Sequence, residues 1–331
     1  MKQMKQKYNK EDLALNVGSK KLHEGRKFMY DAVENHHRNY YKKNKKTYKN
    51  KFLERRKCPL CYFNKYLYLF KKRGGTYVKC VRCRMVYLNP VFIDKELIKY
   101  YINMHDVQST VVKNESSFYK LIYLKGLNSV GKFIKDGKNL IDIGCSSGFF
   151  LDIAAKYGWK TYGIEYNQKE KKLVDKKHIV FSQDIDTLPI NLTFDLVTMW
   201  DVIEHIKDGN SFLKKIKKKL NNGGLLFMQT PNVSSFAARI LHEKCNLFDG
   251  IEHVNLYSFQ TMKILAEKNG FKILNNESVI SEIPIISNYL NYTDPYFGES
   301  EYKDTILGLI NEKKLHQNKL GYKMQVVLKK I

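Results

Sequence analysis

NLIDIGCSSGFFLDIAAKYGWKTYGIE, residues 139–165, is the stretch whose reading decides the fold. Leu140, Ile141 and Ile143 form a short apolar run, which reads as a buried strand. It enters a tight loop carrying Gly144, Cys145, Ser146 and Gly148. A helix is expected next, with Phe149, Phe150, Ile153 and Ala154 on its inner side. A second strand, Thr161 to Ile164, ends on an acid, Glu165. Glycines in such a loop let the backbone approach a ligand, and a helix N-terminus offers free N–H groups. An acid at the tip of the next strand is placed to accept from ribose hydroxyls. The stretch therefore reads as half of a nucleotide-type binding site.

Downstream, strands and helices alternate, which predicts a parallel sheet covered on both faces. Five further strands are expected: His178 to Ser182, Phe194 to Trp200, Gly224 to Gln229, Phe271 to Glu277 and Tyr322 to Lys329. A helix is expected from about Ile203 to Leu220, and another from Ser258, as N-cap, to Asn269, stopped by Gly270. Two insertions, 230–257 and 283–320, interrupt the pattern and are where acceptor specificity is expected. Their aromatics, among them Phe236, Phe248, Tyr257, Tyr289, Tyr292, Tyr296 and Phe297, suit an apolar or ring-containing acceptor, or a lid packed on itself. Asp142 and Glu165 stand at the ends of the first two strands, Asp184 and Ile185 follow the third, and Trp200-Asp201 ends the fourth. All four points are carboxyl ends of strands, where open α/β sheets bind ligands. The loop DIGCSSG is not GxGxxG, so no pyrophosphate loop of the dinucleotide type is present.

Upstream, residues 58–90 hold two CxxC pairs, Cys58/Cys61 and Cys80/Cys83, separated by 18 residues. Two strand-like runs, Tyr66 to Phe70 and Thr76 to Lys79, flank a Gly74-Gly75 turn. A hairpin would bring the two knuckles together, and four thiolates make a closed tetrahedral zinc site of structural type. Reduced thiols without metal, or iron in place of zinc, are the competing readings.

Residues 1–57 carry 18 Lys+Arg against 6 Asp+Glu, about half of the chain's net +25. Leu22 to Arg56 reads as one or two charged helices with a thin stripe of Phe28, Tyr30, Val33, Tyr40 and Tyr41. This basic, helical extension is a candidate contact for an anionic surface or RNA, or a solvated arm. Residues 91–138 are expected to be lead-in helices, and 139–331 the main α/β domain. No run of about 18 apolar residues exists, so no transmembrane segment is expected. The start, MKQMKQKYNKED, lacks an apolar core, so a cytoplasmic location is the expectation.

From about residue 118 onward these motifs, in order and spacing, resemble the class I S-adenosylmethionine-dependent methyltransferases. That resemblance implies a Rossmann-like seven-stranded sheet, parallel with a final antiparallel hairpin, and S-adenosylmethionine rather than NAD as ligand. It implies that the loop Asp142 to Gly148 packs on the methionine and ribose parts, that Glu165 holds the ribose, and that Asp184 and the Ile185 N–H read adenine. DVIEHI (201–206), TPN (230–232) and EHVNLYSFQTMKILAEKNGF (252–271) resemble the ubiquinone-biosynthesis O-methyltransferase branch. Some members of that branch also carry a CxxC…CxxC module ahead of the methyltransferase domain. In it an acid-x-x-Glu-His set is associated with a divalent cation; Asp201, Glu204 and His205 match with Asp in first place, or Asp201 lies near the cofactor and Glu204 caps a helix. The implied activity is methyl transfer to an O, C or N atom of a small-molecule, lipid-linked or glycan acceptor. His253 and His205 are the candidates to take the acceptor's proton. Two other readings compete. One is an RNA methyltransferase that grips RNA with Lys79, Arg82, Arg84 and the basic arm. The other is a non-catalytic cofactor-binding scaffold.

Overall fold

Chain order explains how three sheets come to share one body. The structure is a computed structural model that describes residues 35, 37–42, 47–102, 116–134, 137–283, 285–287 and 306–331. Near the start of the described residues, Tyr41 and Tyr48 form an isolated bridge, followed by a 3-10 turn, Asn50–Phe52, and a short strand β1, Leu53–Glu54. The charged helix expected up to Arg56 is replaced there by extended chain, because β1 pairs with β5 (Val91–Phe92) and Tyr40 and Tyr48 pack edge-on against Phe92. The rest of the expected helical stripe, Phe28, Tyr30 and Val33, lies outside the described residues.

Strands β2 (Tyr66–Lys72) and β3 (Gly75–Cys80) form the hairpin that the cysteine spacing implies, and β4 (Val86–Leu88) extends it. Within the stretch 91–138, Val91–Phe92 is strand β5, helix α1 covers 94–102 and α2 covers Ser116–Gly131.

The main domain then alternates. Its first half runs β6 (Asn139–Ile143), α3 (Phe149–Lys156), β7 (Lys160–Ile164), α4 (Gln168–Leu173), β8 (Ile179–Phe181), β9 (Phe194–Trp200) and α5 (Gly209–Lys219). The second half runs β10 (Leu220–Pro231), α6 (Phe236–Leu241), β11 (Asn255–Leu256), α7 (Phe259–Lys268), β12 (Phe271–Val279), α8 (Glu312–Gln317) and β13 (Lys323–Lys330). Seven strands make one sheet in the order β12-β13-β10-β9-β6-β7-β8. Strands β8, β7, β6, β9 and β10 are parallel, and β13 runs antiparallel to both β10 and β12. Apolar runs such as Leu140, Ile141 and Ile143, or Leu196 to Met199, are buried because helices cover both faces. The chain order reverses between β6 and β9, so a crevice opens at their carboxyl ends.

Two expected boundaries move. The helix expected from Ile203 starts at Gly209, where the Asp208 side chain accepts from the Ser211 N–H as N-cap. Ile203–His205 instead forms a 3-10 turn along the sheet's carboxyl edge. The insertion 230–257, expected to be irregular, contains α6 and β11. Strand β11 pairs with β4, so the small sheet, in the order β11-β4-β3-β2, takes three strands from the cysteine module and one from the insertion. Among the described residues no helix is long and apolar enough to cross a membrane.

Candidate active site

The crevice at the reversal point is a cavity of about 640 Å³. Gly144, Ser146, Glu165 and Asp184 line one side, with Ile185 on its floor. Trp200, Asp201 and His205 line the other side. The remaining candidates sit elsewhere. Asp142 is in register with Thr198 of β9, whose hydroxyl donates to its carboxylate at 2.6 Å, so it points into the sheet and behind the loop. Burial, opposed by that hydrogen bond, pushes the Asp142 carboxyl up to about 8. Cys145 is also buried; its sulfur packs over Gly163, and burial raises its thiol, which fits a loop filler and not a nucleophile. Gly148 is the N-cap of α3 at φ +83°, a conformation that disfavours side chains.

Glu165 is built into the rim. One carboxylate oxygen accepts from the Ser146 N–H at 3.0 Å and the other from the Asn167 N–H at 2.7 Å. Loop and strand tip are thereby locked to each other. Next to it, Tyr166 donates to Asp184, and Lys215 lies 3.2 Å from both Asp184 and Asp186. The Tyr166 hydroxyl and Lys215 hold the Asp184 carboxyl below its ordinary range.

Sequence reasoning missed one wall. Leu97, Ile98, Tyr101 and Ile102 of α1 line the cavity, and Ile98 and Ile102 are more than half exposed. The i, i+1, i+4, i+5 apolar spacing was the available signal. The aromatics expected at Tyr289, Tyr292, Tyr296 and Phe297 lie outside the described residues.

At the other end, Trp200 packs within Tyr123, Phe150 and Phe227, at ring distances of 4.6, 5.1 and 4.5 Å. Asp201 has φ +56° and accepts from Lys323 of β13 and from Gln229 at 3.1 Å. The 3-10 turn then delivers Glu204 and His205. Glu204 is fully buried; Thr230 donates to one oxygen at 2.9 Å and the other has no partner. Burial, then Asp201, pushes the Glu204 carboxyl up to about 8. His205 Nδ1 lies 3.1 Å from the Glu252 carbonyl, which only accepts, so Nδ1 carries the proton. Burial, then His253, pulls His205 down to about 3, so it is neutral.

His253 is not on the cavity wall but stacks edge-on to His205 with ring centres 5.0 Å apart. Its Nδ1 is 2.7 Å from the Leu247 carbonyl and 3.4 Å from Asp249, both acceptors, so Nδ1 carries a proton. Ligand-type atoms of Glu204, His205 and His253 lie within 4.8 Å of one another. Asp201 is not in that group; Lys323 and Gln229 take its carboxylate.

The four cysteines converge as their spacing implies. Cys58 and Cys83 sulfurs are 3.4 Å apart, Cys61 and Cys80 sulfurs 3.5 Å, and all four fall within 4.8 Å. A zinc–sulfur tetrahedron with bonds of about 2.3 Å has edges of about 3.8 Å, so the set fits that ion. Tyr62 and Arg84, each directly after a CxxC, take positive φ and close the knuckles.

Comparison with known proteins agrees with this geometry. Residues 116–276 match the model of a family described as methyltransferase domain. Pavine N-methyltransferase of Thalictrum flavum subsp. glaucum is 33% identical over 118 residues, 33% of this chain and 33% of that protein. Ubiquinone biosynthesis O-methyltransferase of Caulobacter vibrioides is 30% identical over 106 residues, 29% of this chain and 42% of that protein. The match thus spans less than half the length of either relative. A solved S-adenosylmethionine-dependent methyltransferase from Archaeoglobus fulgidus overlays at a TM-score of 0.45 with 20% identity, over 64% of this chain and 94% of that one. Strand order, rim acid and family match meet in the same stretch, residues 116–276, which is the part of the chain that matches the methyltransferase domain family.

Proposed function

We propose that this protein transfers a methyl group from S-adenosylmethionine to an O, N or C atom of a small-molecule, lipid-linked or glycan acceptor. The observation that carries the reading is Glu165, held by two backbone N–H groups on the rim of the 640 Å³ cavity at the reversal point. Similarity to both an N- and an O-methyltransferase supports a small acceptor and leaves its reacting atom open.

In this reading Glu165 accepts the ribose hydroxyls, Gly144 and Ser146 line the methionine part, and Asp184 with the Ile185 N–H meets the adenine. When bound, S-adenosylmethionine supplies a methyl group on a good leaving group, so alignment contributes more than acid–base work. An oxygen acceptor also needs a base. His205 is too weakly basic, with burial holding it near 3. His253, its Nδ1 proton tied to Leu247, is the better acceptor of a proton through Nε2. The four cysteines would hold zinc in a closed, structural site.

Calorimetry with S-adenosylmethionine tests the reading. The native protein should bind, and Glu165→Gln should weaken binding at least tenfold, about 1.4 kcal/mol. No binding by the native protein would falsify it. RNA binding that falls steeply with salt would instead favour an RNA acceptor.

A further inference from the structure

We propose that the cysteine module is a brace for His253, with Tyr77 as the positioning residue through which it acts. The inference rests on the reading of His253 as a base and adds the element that aims it.

His253 sits at the end of a nested turn. The Asp249 carboxylate accepts from the N–H groups of Ile251 at 2.7 Å, Glu252 at 3.0 Å and His253 at 3.0 Å. That turn is gripped from outside by the hairpin between β2 and β3. The Tyr77 hydroxyl accepts from the Gly250 N–H at 3.1 Å and points at the His253 carbonyl at 3.5 Å, so one side chain spans both ends of the turn. Arg73 donates to the Asp249 carbonyl at 3.3 Å. The backbones touch directly. A Cβ on Gly75 would lie 2.2 Å from the Gly250 oxygen, and one on Gly250 would lie 2.3 Å from the Lys72 oxygen. Just beyond His253, the Leu88 N–H and Arg56 both donate to the Val254 carbonyl, and β11 joins β4. The histidine therefore lies between contacts made by the module on both sides.

The consequence is chemical. The turn's geometry keeps the Leu247 carbonyl and Asp249 on Nδ1, and a neutral ring held that way has Nε2 as its acceptor. Tyr77 is wholly buried, with Phe248 packed edge-on at 5.0 Å, so its hydroxyl has no water to replace these partners.

The test is the ring-nitrogen NMR signature of His253 in the full-length, zinc-loaded protein, assigned by its loss in His253→Gln. In the native protein the neutral form of His253 should be a single tautomer with the proton on Nδ1. Tyr77→Phe keeps the ring and should fold; its His253 signals should become an average of both tautomers, while affinity for S-adenosylmethionine changes less than twofold. Withdrawing zinc with a chelator should give the same averaging. A His253 signature unchanged in Tyr77→Phe would overturn the proposal, as would averaging already present in the native protein. Because the signature needs neither cofactor nor acceptor, failure to bind S-adenosylmethionine would strike the methyl-transfer reading and leave the brace intact.

Discussion

Asp142 shows how far one residue's role depends on depth. In the sequence it heads the glycine loop and reads as a ligand contact. In the structure it is paired across the sheet with Thr198 and lies behind the cavity, 2% exposed. Periodicity locates a strand but not which side of its last turn faces ligand. A pH dependence follows. Its folded-state value of about 8 exceeds the ordinary 3.8, so the native state holds a proton that the unfolded chain releases between them. Glu204, also pushed up to about 8, acts in the same direction. Stability should be highest at the acid end of that window and fall as pH rises through about 8, by a few kcal/mol. Asp142→Asn keeps the acceptor for Thr198 and removes the titration. Urea unfolding at about pH 5.5 and 8 should show a smaller loss in the variant than in the native protein. An equal loss in both would exclude Asp142 as the source. The metal-type grouping of Glu204, His205 and His253 was equally hidden at this scale, because His253 reaches the pair from a loop nearly 50 positions later.

Elements were more legible. Short apolar runs separated by helical periods gave all seven strands, since a strand buried on both faces leaves a continuous apolar signature. Ser258 at the start of α7 was legible too, because a capping box is a local pattern: its side chain accepts from the Thr261 N–H, and Thr261 returns the bond. What periodicity cannot show is pairing between distant edges. The register Pro231↔Lys323 places Lys323 at the carboxyl end of the sheet, where it reaches Asp201. Burial lowers the affinity of this ammonium for its proton, Asp201 outweighs that, and the net effect raises it. The Asp201 carboxylate is in turn held by Gln229, and Gln229 by Gln325, a ladder across three strands. Lys323→Met should leave the carboxylate under-compensated. Because the two side chains keep 19% and 27% exposure, the expected cost is about 1–3 kcal/mol, below that of a fully buried pair. Adding Asp201→Asn should recover much of it. A double-mutant cycle by denaturant unfolding with no coupling between the two sites would show that the pair does not act as one unit.

At the scale of the whole molecule, the sequence divides the chain at residue 90, and the structure joins what that boundary separates. The division is natural, since the cysteine module reads as a segment too small for its own core. Its apolar residues instead enter the main core: Leu60, Val78 and Met85 belong to the same buried cluster as Ile141, Val197 and Leu226. Asn210 of α5 donates to the Pro59 and Leu60 carbonyls inside the first knuckle, and Lys268 of α7 donates to Leu60 as well. Two readings of the four-cysteine cluster now separate. If the module only decorated the domain, removing metal would melt a local segment and spare the sheet. Since its core and hydrogen bonds are shared, removing metal should weaken the whole fold, because the free energy of binding metal to the folded state only is folding free energy. Elemental analysis should find about one zinc per chain. Thermal unfolding followed by calorimetry should show a single transition in the loaded protein and a transition displaced downward by more than about 5 °C after chelation or in Cys80→Ala/Cys83→Ala. The far-ultraviolet signal of the large sheet should move with it. A metal-free protein whose sheet melts at the unchanged temperature would return the module to the status of an independent attachment.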